Sequence, residues 1–262
     1  MTLVKPLDCA FTLQGEGPPL FLIHGIGAAR NTWAKALPTL TEHFTVITYD
    51  LRGHGASPMP EQPFGLDELV ADLERVREQT GFEAAHFAGH SLGGMIGPAY
   101  ARAFPERVLS LGLLSTAAFR TADDSAKVKG VVSAMRAQSV PEILSTLANR
   151  WFTDDFIAAH PEVIKARMDQ VIATRSDIFL NVFDIYADTE MSPWLHEVSA
   201  PCLVLTGEND GGCPPRLNEH ITAALPKAEL VVLPKVKHSI MLECGEVVAA
   251  HMLAFLKGLE PS

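Results

Sequence analysis

Ser91 stands between two glycines in the run Phe87-Ala88-Gly89-His90-Ser91-Leu92-Gly93-Gly94. An apolar, β-prone stretch leads into it, and a small-residue helical stretch through Met95, Ala99, Tyr100 and Ala103 leads away. This Gly-x-Ser-x-Gly spacing fits a sharp strand-to-helix turn, a nucleophile elbow, that holds the serine in strained backbone geometry and presents its hydroxyl. Gly89 and Gly93 let neighbouring backbone pass close, and the following helix directs free N–H groups and a positive dipole end at any oxyanion that forms. Taken alone, five such residues could equally be a glycine-rich turn carrying an incidental serine, so the remaining partners decide.

A serine hydroxyl needs a base in hydrogen-bond reach and an acid to orient that base. Behind an elbow the partners follow in chain order as acid and then histidine. The strand-like Cys202–Thr206 run is followed at once by Gly207-Glu208-Asn209-Asp210, and the next strand-like run, Leu230–Leu233, is followed by Lys237-His238-Ser239. Asp210 is therefore the expected acid and His238 the expected base. Glu208 is the nearest rival acid, with Asp123 and Asp124 behind it. The chain has 10 histidines, and position after the last strand, downstream of the acid, is what singles out His238. Two backbone donors are needed for an oxyanion. Leu92, directly after the serine, supplies one; Ile26, in the loop His24-Gly25-Ile26-Gly27 after an early strand, supplies the other. His24 is expected to hold that loop by hydrogen bonding. The turn Arg52-Gly53-His54-Gly55-Ala56-Ser57 is expected to shape the mouth of the site; it has neither the glycine spacing nor the Lys-Ser/Thr ending of a phosphate loop.

These groups must be carried by a scaffold, and the periodicity describes one. Leu20–His24, Phe44–Tyr49, Ala85–Gly89 and Val108–Leu114 read as buried strands, with a helix at Leu66–Val76 between the second and third. Uniformly apolar strands alternating with helices imply an α/β, doubly wound, mostly parallel sheet. From 116 to 198 no strand run stands out. Val140, Ile143, Leu144, Leu147 and Trp151 share one helix face, and Val163, Ala166, Arg167 and Val171 another. The expected division is thus a core of residues 1–115 and 199–262 with a helical lid over 116–198. A helix after Pro214-Pro215 and a closing helix over Glu246–Leu256 complete the core.

With 262 residues and a net charge of −10, the chain can bury one large core and offers no Lys/Arg-rich stripe for nucleic acid or an anionic membrane. Cys9, Cys202, Cys213 and Cys244 are widely spaced, without a Cys-x-x-Cys pair or zinc-ligand spacing, and read as reduced thiols. No cationic, apolar leader opens the chain and no apolar stretch reaches the roughly 20 residues that span a bilayer. A cytoplasmic protein is expected.

In combination these signals resemble the α/β-hydrolase superfamily along nearly the whole chain: the elbow, the His-Gly-x-Gly loop, the Arg-Gly-His-Gly-x-Ser turn, the Gly-x-x-Asp acid loop and the late histidine come in that family's order. Within it the chain is most similar to the 3-oxoadipate enol-lactonase group, through Asp50–Ser57, His86–Gly97 and above all Asn149-Arg150-Trp151-Phe152-Thr153. A serine at 91 is unlike the haloalkane dehalogenases, which place an aspartate there. The resemblance implies acyl chemistry on a small-molecule ester or lactone, with no metal and no organic cofactor: attack by Ser91, proton transfer to His238 held by Asp210, and an oxyanion held by the Ile26 and Leu92 N–H groups. It also suggests Trp151 as a pocket-lining, substrate-binding residue, and Arg136, Arg150 and Arg175 as candidates to meet a carboxylated substrate. A homodimer is compatible with it. Two further readings stay open: carbon–carbon bond hydrolysis of a vinylogous diketone with the same triad, and a ligand-binding receptor on this scaffold.

Overall fold

A computed structural model describes residues 4–259, apart from the side chains of 144 and 145, so the placing of Leu144 on a helix face lies outside the described residues. Strands β1 (Phe11–Gln14), β2 (Pro19–Ile23), β3 (Thr45–Tyr49), β4 (Ala85–His90), β5 (Val108–Leu114), β6 (Cys202–Gly207) and β7 (Ala228–Leu233) form one sheet in the order β1-β3-β2-β4-β5-β6-β7. Every neighbouring pair is parallel except β1 with β3, which runs antiparallel from Phe11 opposite Tyr49 to Gln14 opposite Val46. The chain then fills both faces with helices: α1 (Leu37–Leu40), α2 (Leu66–Thr80), α3 (Gly93–Ala103), α4 (Ala122–Gln138), α5 (Val140–Trp151), α6 (Asp154–Ala159), α7 (Pro161–Ala173), α8 (Ser176–Asp188), α9 (Pro215–Ala224) and α10 (Ile240–Gly258).

The sequence of β2 shows why it is a central strand. Phe21 and Ile23 enter the core layer shared with Leu73 of α2 and Ile96 of α3, while Leu20 and Leu22 enter the opposite layer with Trp33 and Val248 of α10. Successive side chains alternate between faces, so a strand covered on both sides must be apolar at every position. The strand order reverses direction around β2. Ile23 of β2 lies opposite Gly89 of β4, so the loop after β2 and the elbow after β4 emerge side by side at the carboxyl edge, the place where open α/β sheets build their sites.

The elbow closes through glycine. A Cβ on Gly89 would stand 2.0 Å from the Gly93 carbonyl oxygen, and one on Gly93 would stand 2.2 Å from the Ile23 carbonyl oxygen. Backbone atoms cannot yield at such distances. Gly89→Ala is therefore expected to cost about 1–3 kcal/mol of overpacking, seen as a melting temperature several degrees lower by calorimetry. An unchanged melting temperature would mean that the turn is looser than these distances.

Between β5 and β6 the chain runs through α4 to α8. Two helical faces are legible there in the sequence, within α5 and α7; α4, α6 and α8 are additional. Of the α7 positions, Val171 is buried while Ala166 is exposed, and Arg167 points inward. The closing helix begins at Ile240 rather than Glu246, directly behind His238, with a non-helical Cys244 inside it. β2 ends at Ile23, which leaves His24 in the loop. No helix among the described residues is long and apolar enough to cross a membrane.

Candidate active site

Ser91 has φ 57, the left-handed region that a non-glycine residue occupies only when its surroundings enforce it. Those surroundings are hydrogen bonds. The Ser91 N–H donates to the Leu114 carbonyl at 2.8 Å, and the Ser91 carbonyl accepts from Thr116 Oγ1 at 2.9 Å and from the Gly94 N–H at 3.0 Å. β5 and Thr116 in the loop behind it thereby hold the turn from one side, and the start of α3 holds it from the other.

Asp210 follows β6 at once and is buried. Its Oδ1 accepts the Gly212 and Cys213 N–H groups at 2.9 and 2.8 Å, and its Oδ2 accepts His238 Nδ1–H at 2.8 Å. Burial alone would raise the Asp210 carboxyl, but the His238 charge and these three hydrogen bonds outweigh it and hold it below its ordinary value. For His238, burial opposes the charged form, yet the Asp210 carboxylate and its hydrogen bond prevail and lift the imidazole well above its ordinary value. The rival acids are engaged elsewhere: exposed Glu208 accepts the Lys235 N–H, and Asp124 pairs with Arg216. Asp210, Cys213 and His238 offer ligand-type atoms within 4.8 Å of one another. Both carboxylate oxygens of Asp210 are already occupied by N–H donors, so the Asp–His hydrogen bond accounts for that grouping without an ion.

The structure thus brings Asp210 and His238 into contact. Ser91 and His238 face one cavity of about 510 Å³, which Gly25, Ile26, His90 and Trp151 also line. A hydrogen bond from Ser91 Oγ to His238 is not among the contacts of the described residues; such bonds are commonly long in unliganded sites and tighten when substrate arrives.

The loop after β2 is set by a histidine. His24 Nε2 accepts the Leu51 N–H at 2.9 Å, so its proton sits on Nδ1, which donates to the Gly25 carbonyl at 2.8 Å. Burial keeps this imidazole neutral. In a trans peptide the carbonyl and N–H point in opposite directions, so tying down the Gly25 carbonyl aims the Ile26 N–H the other way. Among the described residues neither the Ile26 nor the Leu92 N–H meets a protein acceptor. Two backbone donors at the nucleophile, left without partners, are the ingredients of an oxyanion hole.

The Arg52–Ser57 turn does not shape the mouth of the cavity, contrary to expectation, and none of its residues lines it. Arg52 forms a buried side-on pair with Asp72, through Nε and Nη2 at 2.7 Å each, and Ser57 Oγ donates to the Asp50 carbonyl at 2.5 Å. The turn is an internal brace that presents the Leu51 N–H to His24. Three residues with a role at the site carry no local sequence signal. His90, whose imidazole burial and the His238 charge push down to about 3, donates Nε2–H to the His238 carbonyl at 2.9 Å and so fixes the base from behind. Arg167 on α7 donates to the Ile26 carbonyl at 2.9 Å and also to that of Gly27, with its guanidinium 5.1 Å over the Trp151 ring. Arg120 also borders the cavity. Of the three arginines suggested by resemblance, Arg150 lines the cavity, whereas Arg136 and Arg175 form exposed pairs with Asp184 and Asp177.

A reversing parallel sheet with an elbow serine at its carboxyl edge and an acid–histidine pair on later loops defines a class. The model of the α/β hydrolase fold matches residues 18–243, and the chain belongs to that family. It is 29% identical over 197 residues to 3-oxoadipate enol-lactonase 2 of Acinetobacter baylyi, covering 75% of this chain and 73% of that one. It is 26% identical to (E)-2-((N-methylformamido)methylene)succinate hydrolase of the same organism, covering 93% and 92% of the two chains. The crystal structure of a hydrolase from Pseudomonas aeruginosa PA01 superposes with a TM-score of 0.87 at 30% identity, covering 95% of this chain and 94% of that chain. Each of these three proteins is named as a hydrolase or a lactonase.

Proposed function

We propose that this chain is a serine hydrolase that cleaves a small carboxylic ester or lactone through an acyl-enzyme on Ser91. The observation that carries the reading is the 2.8 Å Asp210–His238 hydrogen bond opening onto the cavity that also receives the strained elbow serine. In the first half-reaction the Ser91 hydroxyl adds to the substrate carbonyl while His238 takes its proton, and Asp210 stabilises the imidazolium. The Ile26 and Leu92 N–H groups receive the developing oxyanion; loss of one such donor typically raises the barrier by about 3 kcal/mol. Collapse expels the alkoxide or enolate, which His238 protonates. Water, deprotonated by His238, then attacks the acyl-enzyme and frees the acid. The helices between β5 and β6 act as a lid that carries Trp151 to the cavity, where its ring borders the substrate.

A panel of enol-lactones, aryl esters and ring-cleavage diketones tests the bond class. Multiple turnover of lactones and esters supports the reading, and turnover confined to diketones would replace it with carbon–carbon hydrolysis. A single covalent labelling event without turnover would indicate a receptor.

The raised His238 imidazole makes a signed prediction for pH. Only neutral His238 can accept the Ser91 proton, so kcat/KM rises as pH rises through the folded-state pKa. Because the Asp210 carboxylate favours the cation, the acid limb should have its midpoint above the ordinary histidine value of about 6.5. Asp210→Asn removes that charge and should move the midpoint down. An acid limb that stays in place in Asp210→Asn would point to another acid.

A further inference from the structure

The loop that carries the Ile26 N–H lies between the nucleophile and the helices that follow β5. A Cβ on Gly25 would stand 3.0 Å from Ser91 Cβ, so one side of the loop rests on the elbow. On its other side Gly27 has φ 59, and a Cβ there would stand 2.5 Å from the Phe179 ring and 3.4 Å from Val171 Cγ2. Into this contact α7 brings a cation. Arg167 Nη2 donates to the Ile26 carbonyl at 2.9 Å, and Nη1 donates to the Gly27 carbonyl and to Gln170 Oε1, the latter at 3.3 Å. Gln170 Nε2 in turn donates to Asn31 Oδ1 at 3.0 Å, just beyond the loop.

Among the described residues no carboxylate pairs with Arg167. Burial pushes its guanidinium down to about 10, which leaves it a cation at neutral pH. A desolvated cation without a counter-ion is unfavourable, and charge-assisted bonds to the two loop carbonyls are what offset it here. The planar fork spans consecutive carbonyls, which a point charge does less well. Its guanidinium lies 5.1 Å from the centre of the Trp151 ring, and the Trp151 carbonyl accepts the Ser239 N–H at 2.8 Å, next to the base. The arginine that ties down the donor loop thus rests on a residue tied to the histidine loop.

The consequence for chemistry follows from peptide planarity. His24 holds the Gly25 carbonyl and with it the plane that contains the Ile26 N–H, while Arg167 holds the next two carbonyls. Both planes that meet at the Ile26 Cα are therefore fixed. Without Arg167 the outer half of the loop is free to shift, and a misplacement on the order of 1 Å costs about a hundredfold in rate.

We propose that Arg167 is a positioning residue, which holds the Ile26 N–H where an oxyanion formed at Ser91 would lie. This rests on the hydrolase reading above, and the test separates the two. Arg167→Met keeps an unbranched chain against the Trp151 ring and removes every donor. With active sites counted by fluorophosphonate, kcat on 4-nitrophenyl butyrate is expected to fall about ten- to a hundredfold while KM stays within about threefold, since the interaction lost is made in the transition state. Arg167→Lys, which keeps the charge but loses the fork, should recover part of kcat. A trifluoromethyl ketone that adds to the serine as an oxyanion should bind more weakly by about the factor lost in kcat/KM. A merely loosened lid would lower the melting temperature and the count of active sites without moving those two quantities together. Unchanged kcat per site in Arg167→Met, or a rise in KM alone, overturns the proposal. Hydrogen exchange supplies a readout apart from turnover: residues 25–28 should exchange about threefold faster or more in Arg167→Met. Faster exchange supports the clamp even if the wild type cleaves no ester and takes up no fluorophosphonate, an outcome that would instead remove the hydrolase reading. Ester cleavage with kcat and exchange both unchanged in Arg167→Met keeps the hydrolase and removes the role of Arg167.

Discussion

Ser91→Ala is expected to lower ester or lactone turnover by about four to six orders of magnitude, since the members of a nucleophile–base unit act together and the residue left behind is the oxyanion hole and binding alone. The fold should survive. The Ser91 contacts that hold the elbow use its N–H and carbonyl, not its hydroxyl, and alanine retains all of them. Both residues incur the same left-handed strain at φ 57. The prediction is thus a split between two measurements: kcat collapses while the melting temperature and circular dichroism stay with the wild type. A variant that lost both would show that the hydroxyl matters to the fold, and one that kept activity would remove Ser91 from the chemistry.

His238→Ala should cost a comparable factor, about four orders of magnitude or more. The side chain has two tasks in the proposed cycle, taking the serine proton and later the water proton, and no nearby imidazole can replace it. His90 is the nearest ring, 5.0 Å between centroids, but burial and the His238 charge hold it neutral with a pKa of about 3, and its Nε2–H is committed to the His238 carbonyl. That bond goes to backbone, so His90 has no shift of role to offer when the 238 side chain is cut. Some structural cost accompanies the change, because Asp210 loses the Nδ1–H donor and keeps two backbone N–H partners. Residual activity within tenfold of the wild type, measured on the same ester, would exclude His238 as the base.

The residues proposed for chemistry are readable in the sequence because each is announced by its neighbours. A serine between glycines, an acid directly behind an apolar strand and a histidine behind the next strand are short-range patterns whose order is a matter of topology. The strands are readable for the same reason: β2 and β6 are apolar at nearly every position because both faces are covered. β1 is not, since Phe11-Thr12-Leu13-Gln14 alternates over only four residues, none of them buried, too short a run to stand out. α4 is hidden too; only Val132 and Met135 of its seventeen residues are buried, too few to mark a face. Arg120, Arg167 and His90 belong to a further category. What they do follows from partners remote in the chain, the Thr189 carbonyl, the Ile26 carbonyl and the His238 carbonyl, and nothing adjacent to them records those pairings. The Arg52–Ser57 turn shows the reverse error. Its polar, glycine-rich composition reads as a surface mouth, yet the arginine is matched by a buried Asp72 that lies in α2.

Treatment of the wild-type chain with a fluorophosphonate, followed by peptide mass spectrometry, bears most directly on whether the elbow hydroxyl is an activated nucleophile. One phosphonyl group on the peptide containing Ser91, loss of turnover in step with its formation, and no adduct on Ser91→Ala is the predicted result. An adduct on a different residue, with turnover persisting in Ser91→Ala, would contradict it.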